Sequence, residues 1–391
     1  MTTTPIPYGR QDIDQHDIDA VVRVLGAEFL TQGPLVGQFE QAVAAYCGAR
    51  HAVAVNSATS ALHIACLALG VGAGDLVWTT PITFVATANS AIYCGASVDF
   101  VDIDAATYNM SVERLREKLA AAKKAGKLPK VVIPVHMTGQ SCDMAAIHEL
   151  GREYGFRIIE DASHAVGARY RNEPVGWGRY SDITVFSFHP VKIITSGEGG
   201  MALTNDEQLA GALRRLRSHG ITGAATEMEP RPENEIWNYQ QIELGFNYRM
   251  TDIHAALGLS QMRRLDEFVS ARHTLARRYD ALLRDLPLTT PWQSPDAYSS
   301  YHLYVVRLHL SATGRTQREA MRELHARGIM VNLHYIPVYL QPYYRKLGFE
   351  RGYCPTAECY FREALSIPLY PGLSQEAQDR TVEMLAEVIT A

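Results

Sequence analysis

No stretch of 18 apolar residues occurs in the chain, so no segment reads as a membrane span. Basic residues hold no excess: 37 Lys and Arg stand against 42 Asp and Glu, a net charge of −5. That balance excludes a nucleic-acid binder working through a basic field. The six cysteines (Cys47, Cys66, Cys94, Cys142, Cys354, Cys359) form no Cys-x-x-Cys pair. Most have apolar neighbours, so reduced thiols in a cytoplasmic protein are expected. Residues 1–7 lack the basic and apolar regions of a secretory signal. A helical His pair with an intervening Glu, a phosphate loop ending in Gly-Lys-Ser/Thr and a Gly-x-Ser-x-Gly elbow are all missing, and no metal site is expected. Gly70, Gly72 and Gly74 follow a helical stretch and precede a strand, the wrong context for a dinucleotide fingerprint. Repeats and low-complexity tracts are absent.

What is present is an alternation. Hydrophobic residues make up 47% of the 391 positions, enough for about two to three domains' worth of chain. Strand-like runs lie at 51–56, 76–80, 97–102, 130–136, 156–160, 183–188 and 200–204. Helical stretches at 57–69, 84–93, 111–125 and 144–154 fall between them. Strands alternating with helices predict βαβ crossovers and a mainly parallel sheet. Only a short non-helical link joins the last two strands, which predicts that one runs antiparallel. Asp206–Ser218 reads as a helix and Gly220–Asn238 as a long polar loop. Thr251 N-caps a long helical stretch running to Leu286. Further on, strands are expected at 302–309 and 329–335, and helices at 316–327, 356–365 and 375–390. The expectation is an α/β protein with a large domain over 1–261 and a smaller α+β domain over 262–391. The long helix crosses between them.

Only seven lysines occur, and five crowd into residues 118–130. Lys192 stands apart. It follows the apolar strand ending at Phe188 and precedes the glycine-rich Gly197-Glu-Gly-Gly200. The carboxyl end of a core strand is where ligands enter open α/β sheets. Burial there would depress the amine pKa and make it nucleophilic, the condition for a Schiff base. A snorkelling lysine at a domain seam explains the position equally well. Asp161 closes strand 156–160, where a carboxylate can hold a pyridinium N–H or cap the next turn. Alternation sends it to the side opposite Glu160. Ser57-Ala58-Thr59-Ser60 opens a helix, so its free N–H groups suit a phosphate, although ordinary capping gives the same sequence. Ser187 and Asn247 are further candidate phosphate donors. Phe84 could cover a planar ring, but such a residue is commonly core.

Together these pieces resemble the DegT-type, fold type I, pyridoxal-phosphate-dependent nucleotide-sugar aminotransferases. The resemblance runs from Tyr8 to the final helix. Its markers stand in order: Leu30–Gly33, Asn56–Ser60, Thr79–Asn89, Glu160–Ala165, Phe186–Lys192, Gly197–Gly200, Leu244–Met250 and His334–Pro337. The closest subgroup acts in pseudaminic acid synthesis, on C4 of a UDP-linked 4-keto-6-deoxy sugar. Ile193 departs from it, where that subgroup often has Pro. The family's dehydratases carry His in place of the lysine, so Lys192 favours transamination.

The resemblance implies pyridoxal 5'-phosphate on Lys192 as a Schiff base, with Asp161 on the ring nitrogen and His164 near the phenolic oxygen. Phe84 would stack on the ring. Ser57, Ala58, Thr59 and Ser187 would hold the phosphate. Asn247 would reach it from the neighbouring subunit, making the active unit a homodimer. Tyr8, Glu28, Phe29, Leu30, Thr31, His334 and Tyr335, with Ser187 and Asn247, are the expected substrate contacts. Residues 237–239 are a further candidate for the nucleotide. L-glutamate is the implied donor. Alternatives are the same chemistry on another nucleotide-linked keto sugar, or a cofactor-bound sugar sensor that does not turn over.

Overall fold

The computed structural model describes residues 4–230, 232, 235 and 238–390. At the amino end, α1 (Gln15–Leu25) starts from an Asp14 capping box closed by Asp17. Helix α2 (Pro34–Cys47) opens on proline and stops at Gly48, whose φ of +73° suits a residue without Cβ.

Seven strands then build the main sheet: β1 (His51–Val55), β2 (Leu76–Thr79), β3 (Ser97–Phe100), β4 (Val131–Ile133), β5 (Arg157–Asp161), β6 (Ile183–Ser187) and β7 (Gly200–Thr204). Their spatial order is β1-β7-β6-β5-β4-β2-β3. All run parallel except β7, which is antiparallel to both its neighbours. The short link between β6 and β7 produces the expected reversal.

Helices cover both faces. Val53, Val55, Val77, Val131, Ile133, Ile159, Ile183 and Val185 share one core with α3 (Ala58–Ala68), α4 (Val85–Tyr93) and α7 (Glu207–Leu216). The alternate residues face the other way. Trp78, Val132 and Ile158 pack with α5 (Val112–Ala125) and α6 (Met144–Tyr154). Ala52, Ala54, Phe186 and Met201 pack with α2, α8 (Asp252–Met262) and α9 (Leu265–Leu282). With both faces buried, these strands read as near-continuous Val and Ile runs.

A second core joins the end of α9 to an antiparallel sheet of β8 (Leu288–Thr289), β9 (Tyr304–Leu308) and β10 (Ala364–Ile367). Helices α10 (Gln317–Ala326) and α12 (Gln375–Thr390) close it, while α11 (Pro355–Glu363) packs toward the first core. Ile6 and Pro7 pair in parallel with Ile329 and Met330, which stitches the amino end onto this C-terminal body. Among the described residues no helix is long and apolar enough to cross a membrane.

Four expected elements differ. The stretch 251–286 is two helices, broken at Arg263–Arg264. Arg264 is held there by Asp12, Asp14 and Asp17 of the amino-terminal segment. Thr251 caps the first of the two as expected. The strand at 130–136 shortens to β4, since Pro134 lacks the N–H to extend the ladder. The strand at 329–335 keeps only Ile329–Met330, because the chain turns toward the site described next. The helix expected to Leu365 ends at Glu363, and Ala364–Ile367 pairs with β9 as a strand.

Candidate active site

Strands β1, β5 and β6 run in one direction, so their carboxyl ends lie on one edge of the sheet, with β7 between β1 and β6. Asp161, at the end of β5, has the parity of Ile159 and so faces α3 and α4. Its Oδ1 accepts from the Ser163 N–H (3.1 Å) and hydroxyl (2.6 Å), and its Oδ2 from the Thr87 hydroxyl (2.7 Å). The Ser163 bonds are the capping role foreseen for this residue. Oδ2 keeps a lone pair for one more donor. Glu160 points to the opposite face, against His136 Nε2 at 2.7 Å and Ser181. The Cys142 N–H donates to His136 Nδ1, so Nε2 carries the ring proton toward Glu160.

Lys192 follows a tight turn in which its N–H donates to the His189 carbonyl. Burial pulls its ammonium pKa down to about 8, against an opposing pull from the Asp161 charge. Two histidines face the same centre. Burial first, then the charges of Lys192 and His334, hold His164 well below the usual imidazole range. Burial and Lys192 push His334 down to about 3. Both rings are therefore neutral at physiological pH.

Tyr335 links the groups. Its hydroxyl lies 3.2 Å from His164 Nε2, and its ring lies 6.3 Å from that of Phe84. Tyr8 packs against His334 with ring centroids 5.1 Å apart. His334 is fixed from behind, its Nδ1 2.7 Å from the Ser366 hydroxyl and its carbonyl accepting from Tyr360. Phe84 is 59% exposed, which rules out the core alternative and leaves its ring open to a planar group. It stands at the start of α4 with its ring open beside Tyr335.

Ser57 N-caps α3 by accepting from the Ser60 N–H. Ala58 and Thr59 occupy the first helical positions, whose N–H groups have no partner within the helix. Gly200 of β7 lies between Ser187 and Val55 in the sheet. A Cβ on Gly200 would sit 2.5 Å from the Ala58 nitrogen, so only glycine lets the helix start so close.

The structure thus brings Lys192, Asp161, His164, Tyr335, His334, Tyr8 and Phe84 to one centre beside the α3 start and Ser187. It does not bring the others there. Glu28, Phe29, Leu30 and Thr31 are exposed and tied to the start of α8, Leu30 accepting from the Asp252 N–H. Among the described residues no hydrogen bond or ring contact joins them to the Lys192 centre. Asn247 is exposed, one residue before Tyr248, whose carbonyl accepts from the Asn56 N–H. Trp237 lies outside the described residues, and Tyr239 is exposed. Sequence reasoning missed Thr87, which carries a signal in its i, i+4 spacing from Thr83 on the helix Phe84 begins. It also missed His302, whose ring lies 4.4 Å from that of His164. No local signal marks that residue.

Chemically, the donor set suits an aromatic aldehyde with a ring nitrogen, a ring hydroxyl and a phosphate. A depressed lysine can take the aldehyde and an acceptor-rich carboxylate the protonated ring nitrogen. Among the described residues the buried His164 Nδ1 has no hydrogen-bond partner, which leaves it available to a ring oxygen. The first turn of α3 offers free N–H groups to an anion.

Residues 11–386 match the model of the DegT/DnrJ/EryC1/StrS aminotransferase family. The chain is 39% identical over 387 residues to the spore coat polysaccharide biosynthesis protein SpsC of Bacillus subtilis, covering 98% of this chain and 97% of that one. It is also 39% identical over 368 residues to a UDP-4-amino-4,6-dideoxy-N-acetyl-beta-L-altrosamine transaminase of Campylobacter jejuni, covering 93% and 92%. Helicobacter pylori PseC, an aminotransferase involved in pseudoaminic acid biosynthesis, superposes with a TM-score of 0.89 at 29% identity, covering 99% of each chain.

Proposed function

The chain belongs to the DegT/DnrJ/EryC1/StrS aminotransferase family, the pyridoxal-phosphate-dependent sugar aminotransferases of fold type I, and from that premise we propose its substrate and the roles of its residues. It transfers an amino group from L-glutamate to C4 of UDP-2-acetamido-2,6-dideoxy-beta-L-arabino-hex-4-ulose. The products are UDP-4-amino-4,6-dideoxy-N-acetyl-beta-L-altrosamine and 2-oxoglutarate, as in pseudaminic acid synthesis. The working form is a cytoplasmic homodimer.

The observation that carries this reading is Lys192, an amine drawn down to about pKa 8 by burial within reach of Asp161's charge. When bound, the cofactor supplies a reactive carbonyl and an electron sink. Lys192 binds it covalently, then serves as the base that takes the donor Cα proton. Neutral amine is the form both tasks need, and at pH 7 about a tenth of a pKa 8 group is neutral. Asp161 holds the proton on the ring nitrogen, with Thr87 and Ser163 fixing its carboxylate. His164 contacts the ring oxygen, and Tyr335 orients His164. Phe84 covers one ring face and shields it from water. Ser57, Ala58, Thr59 and Ser187 hold the phosphate, and Asn247 reaches it from the partner copy. Tyr8, His334 and Tyr335 line the sugar side, with Glu28–Thr31 completing it across the dimer.

The same chemistry on another nucleotide-linked keto sugar is the second reading. It is favoured by the Bacillus subtilis relative, which is equally identical and carries a spore coat name. The test is a product assay. Glutamate and the UDP-4-keto sugar are incubated with enzyme, and NMR establishes the configuration at C4. Amine formed only from dTDP- or GDP-linked sugars would sink the first reading. A failure of glutamate to convert the bound cofactor to its amine form would leave a sugar sensor.

A further inference from the structure

His302 is a buried histidine beside the site with no role in the proposed chemistry. His302 lies just before β9 and is 3% exposed. Its ring centroid is 4.4 Å from that of His164, with the planes inclined at 51°. Among the described residues its buried Nδ1 has no hydrogen-bond partner, and neither has that of His164. Buried ring nitrogens are ordinarily satisfied, so two orphans in contact mark a site rather than filler.

The backbone beneath His302 is held under strain. Tyr301 has φ of +47°, a left-handed conformation that a bulky residue rarely adopts. Such geometry persists only where the surroundings over-determine it. Here five hydrogen bonds do so. The Arg272 guanidinium, 1% exposed and among the described residues paired with no carboxylate, donates to the carbonyls of Tyr301, His302 and Leu369. The Ser300 N–H donates to Gly139 and the Ser300 hydroxyl to the His164 carbonyl. Gly139 has no Cβ, which would lie 2.4 Å from that hydroxyl. The loop carrying His302 is thus fastened to the loop carrying His164.

We propose that His302 is a positioning residue for the cofactor ring, seating the His164 imidazole so that its unpartnered Nδ1 stays free for the ring oxygen. The inference rests on the assignment of His164 to that oxygen. Tyr335 contacts Nε2 of the same ring. If its hydroxyl donates there, Nδ1 carries the hydrogen and faces the oxygen as a donor. Tyr335 holds the ring at Nε2 with its own ring 6.2 Å away, and His302 packs closer, at 4.4 Å. Burial first, and then the positive charge that His164, Lys192, Arg272 and His334 can carry, hold His302 well below the usual imidazole range. A neutral, rigid packing partner is what remains.

The test is an absorbance titration of holoenzyme from pH 5 to 10, following the visible band of the bound cofactor. His302→Ala removes the ring and is expected to move the band's midpoint by about one pH unit or more. Cofactor affinity should fall on the order of tenfold. His302→Phe restores a flat ring and should return both toward wild type. Thermal melting separates folding from positioning. A His302→Ala variant with lowered melting but an unchanged titration overturns the proposal, as does a Phe variant that rescues melting alone. Borohydride labelling of wild type guards the premise: label absent from Lys192 overturns the site assignment itself, whereas label present with an unmoved titration overturns only the role of His302.

Discussion

The Thr87 hydroxyl donates to Asp161 Oδ2 across 2.7 Å, reaching the end of β5 from the helix that lies on it. Thr83 Oγ1 lies 2.7 Å from the same hydroxyl and fixes its rotor. Thr87→Val keeps the shape and deletes the donor. A buried carboxylate oxygen left short of a partner costs about 1–3 kcal/mol. The expected result is an unfolding free energy lower by about that amount in urea titration, with a several-fold slower reaction with glutamate. Unchanged stability and rate together would show that the bond does not matter.

The placement of Asp161 and Glu160 on opposite faces was legible because side-chain alternation is a local property of a strand. So was the reversal of β7, which follows from the length of its connection alone. The break in the helix at Arg263–Arg264 was not legible. Its cause is three carboxylates near the amino end, far off in sequence. Phe84 was ambiguous for a similar reason: its apolar neighbours fit a core residue as well as a ring cover, and only the opening of the start of α4 onto the site separates the two. His302 carried no motif at all, since its meaning comes from a ring contributed by a different loop.

Lys192 gives a pH signature with a definite sign. Its amine titrates near 8 in the fold and near 10.5 otherwise. Covalent capture of added cofactor by the cofactor-free protein should therefore rise about tenfold per pH unit below 8 and level off above it. Stability follows the same linkage. Between 8 and 10.5 the unfolded chain holds the extra proton, so stability rises with pH across that window. Lys192→Met should remove both effects. A capture profile flat from pH 6 to 9 would contradict the buried amine.

Phe84 offers a separation of stability from binding. At 59% exposure it contributes little to the core, so Phe84→Ala should change stability by about 0.5 kcal/mol or less. A lost ring stack is worth about 1 kcal/mol, so the cofactor should bind several-fold more weakly in equilibrium dialysis. Wild-type affinity in that variant would remove Phe84 from the site.

The proposed homodimer can be tested at Leu244, which is 77% exposed. Tyr239 and Ile242 are exposed beside it in sequence, and the adjoining Phe246 packs through His63 to the exposed Tyr93. An apolar stretch of this kind fits burial against a second copy. Leu244→Glu should convert the dimer to monomer in size-exclusion chromatography with light scattering, with loss of transamination. A wild-type chain that elutes as a fully active monomer would defeat the shared-site proposal, including the role given to Asn247.

Gly200 poses the sharpest steric test, because the conflict is with backbone and no side chain can swing aside. The added methyl of Gly200→Ala would stand 2.5 Å from both the Ala58 nitrogen and the Ser57 carbonyl carbon. Either β7 shifts away from its pairing with Val55 and Ser187, or the first turn of α3 lifts. Overpacking of this kind costs about 1–3 kcal/mol. Lifting that turn also misaims the N–H groups offered to phosphate, so cofactor affinity should fall together with stability. Alanine at Gly211, within α7, meets only the Arg215 guanidinium at 3.5 Å and serves as the control. If Gly200→Ala lost stability but bound cofactor as tightly as the control, the α3 start would not be the phosphate seat.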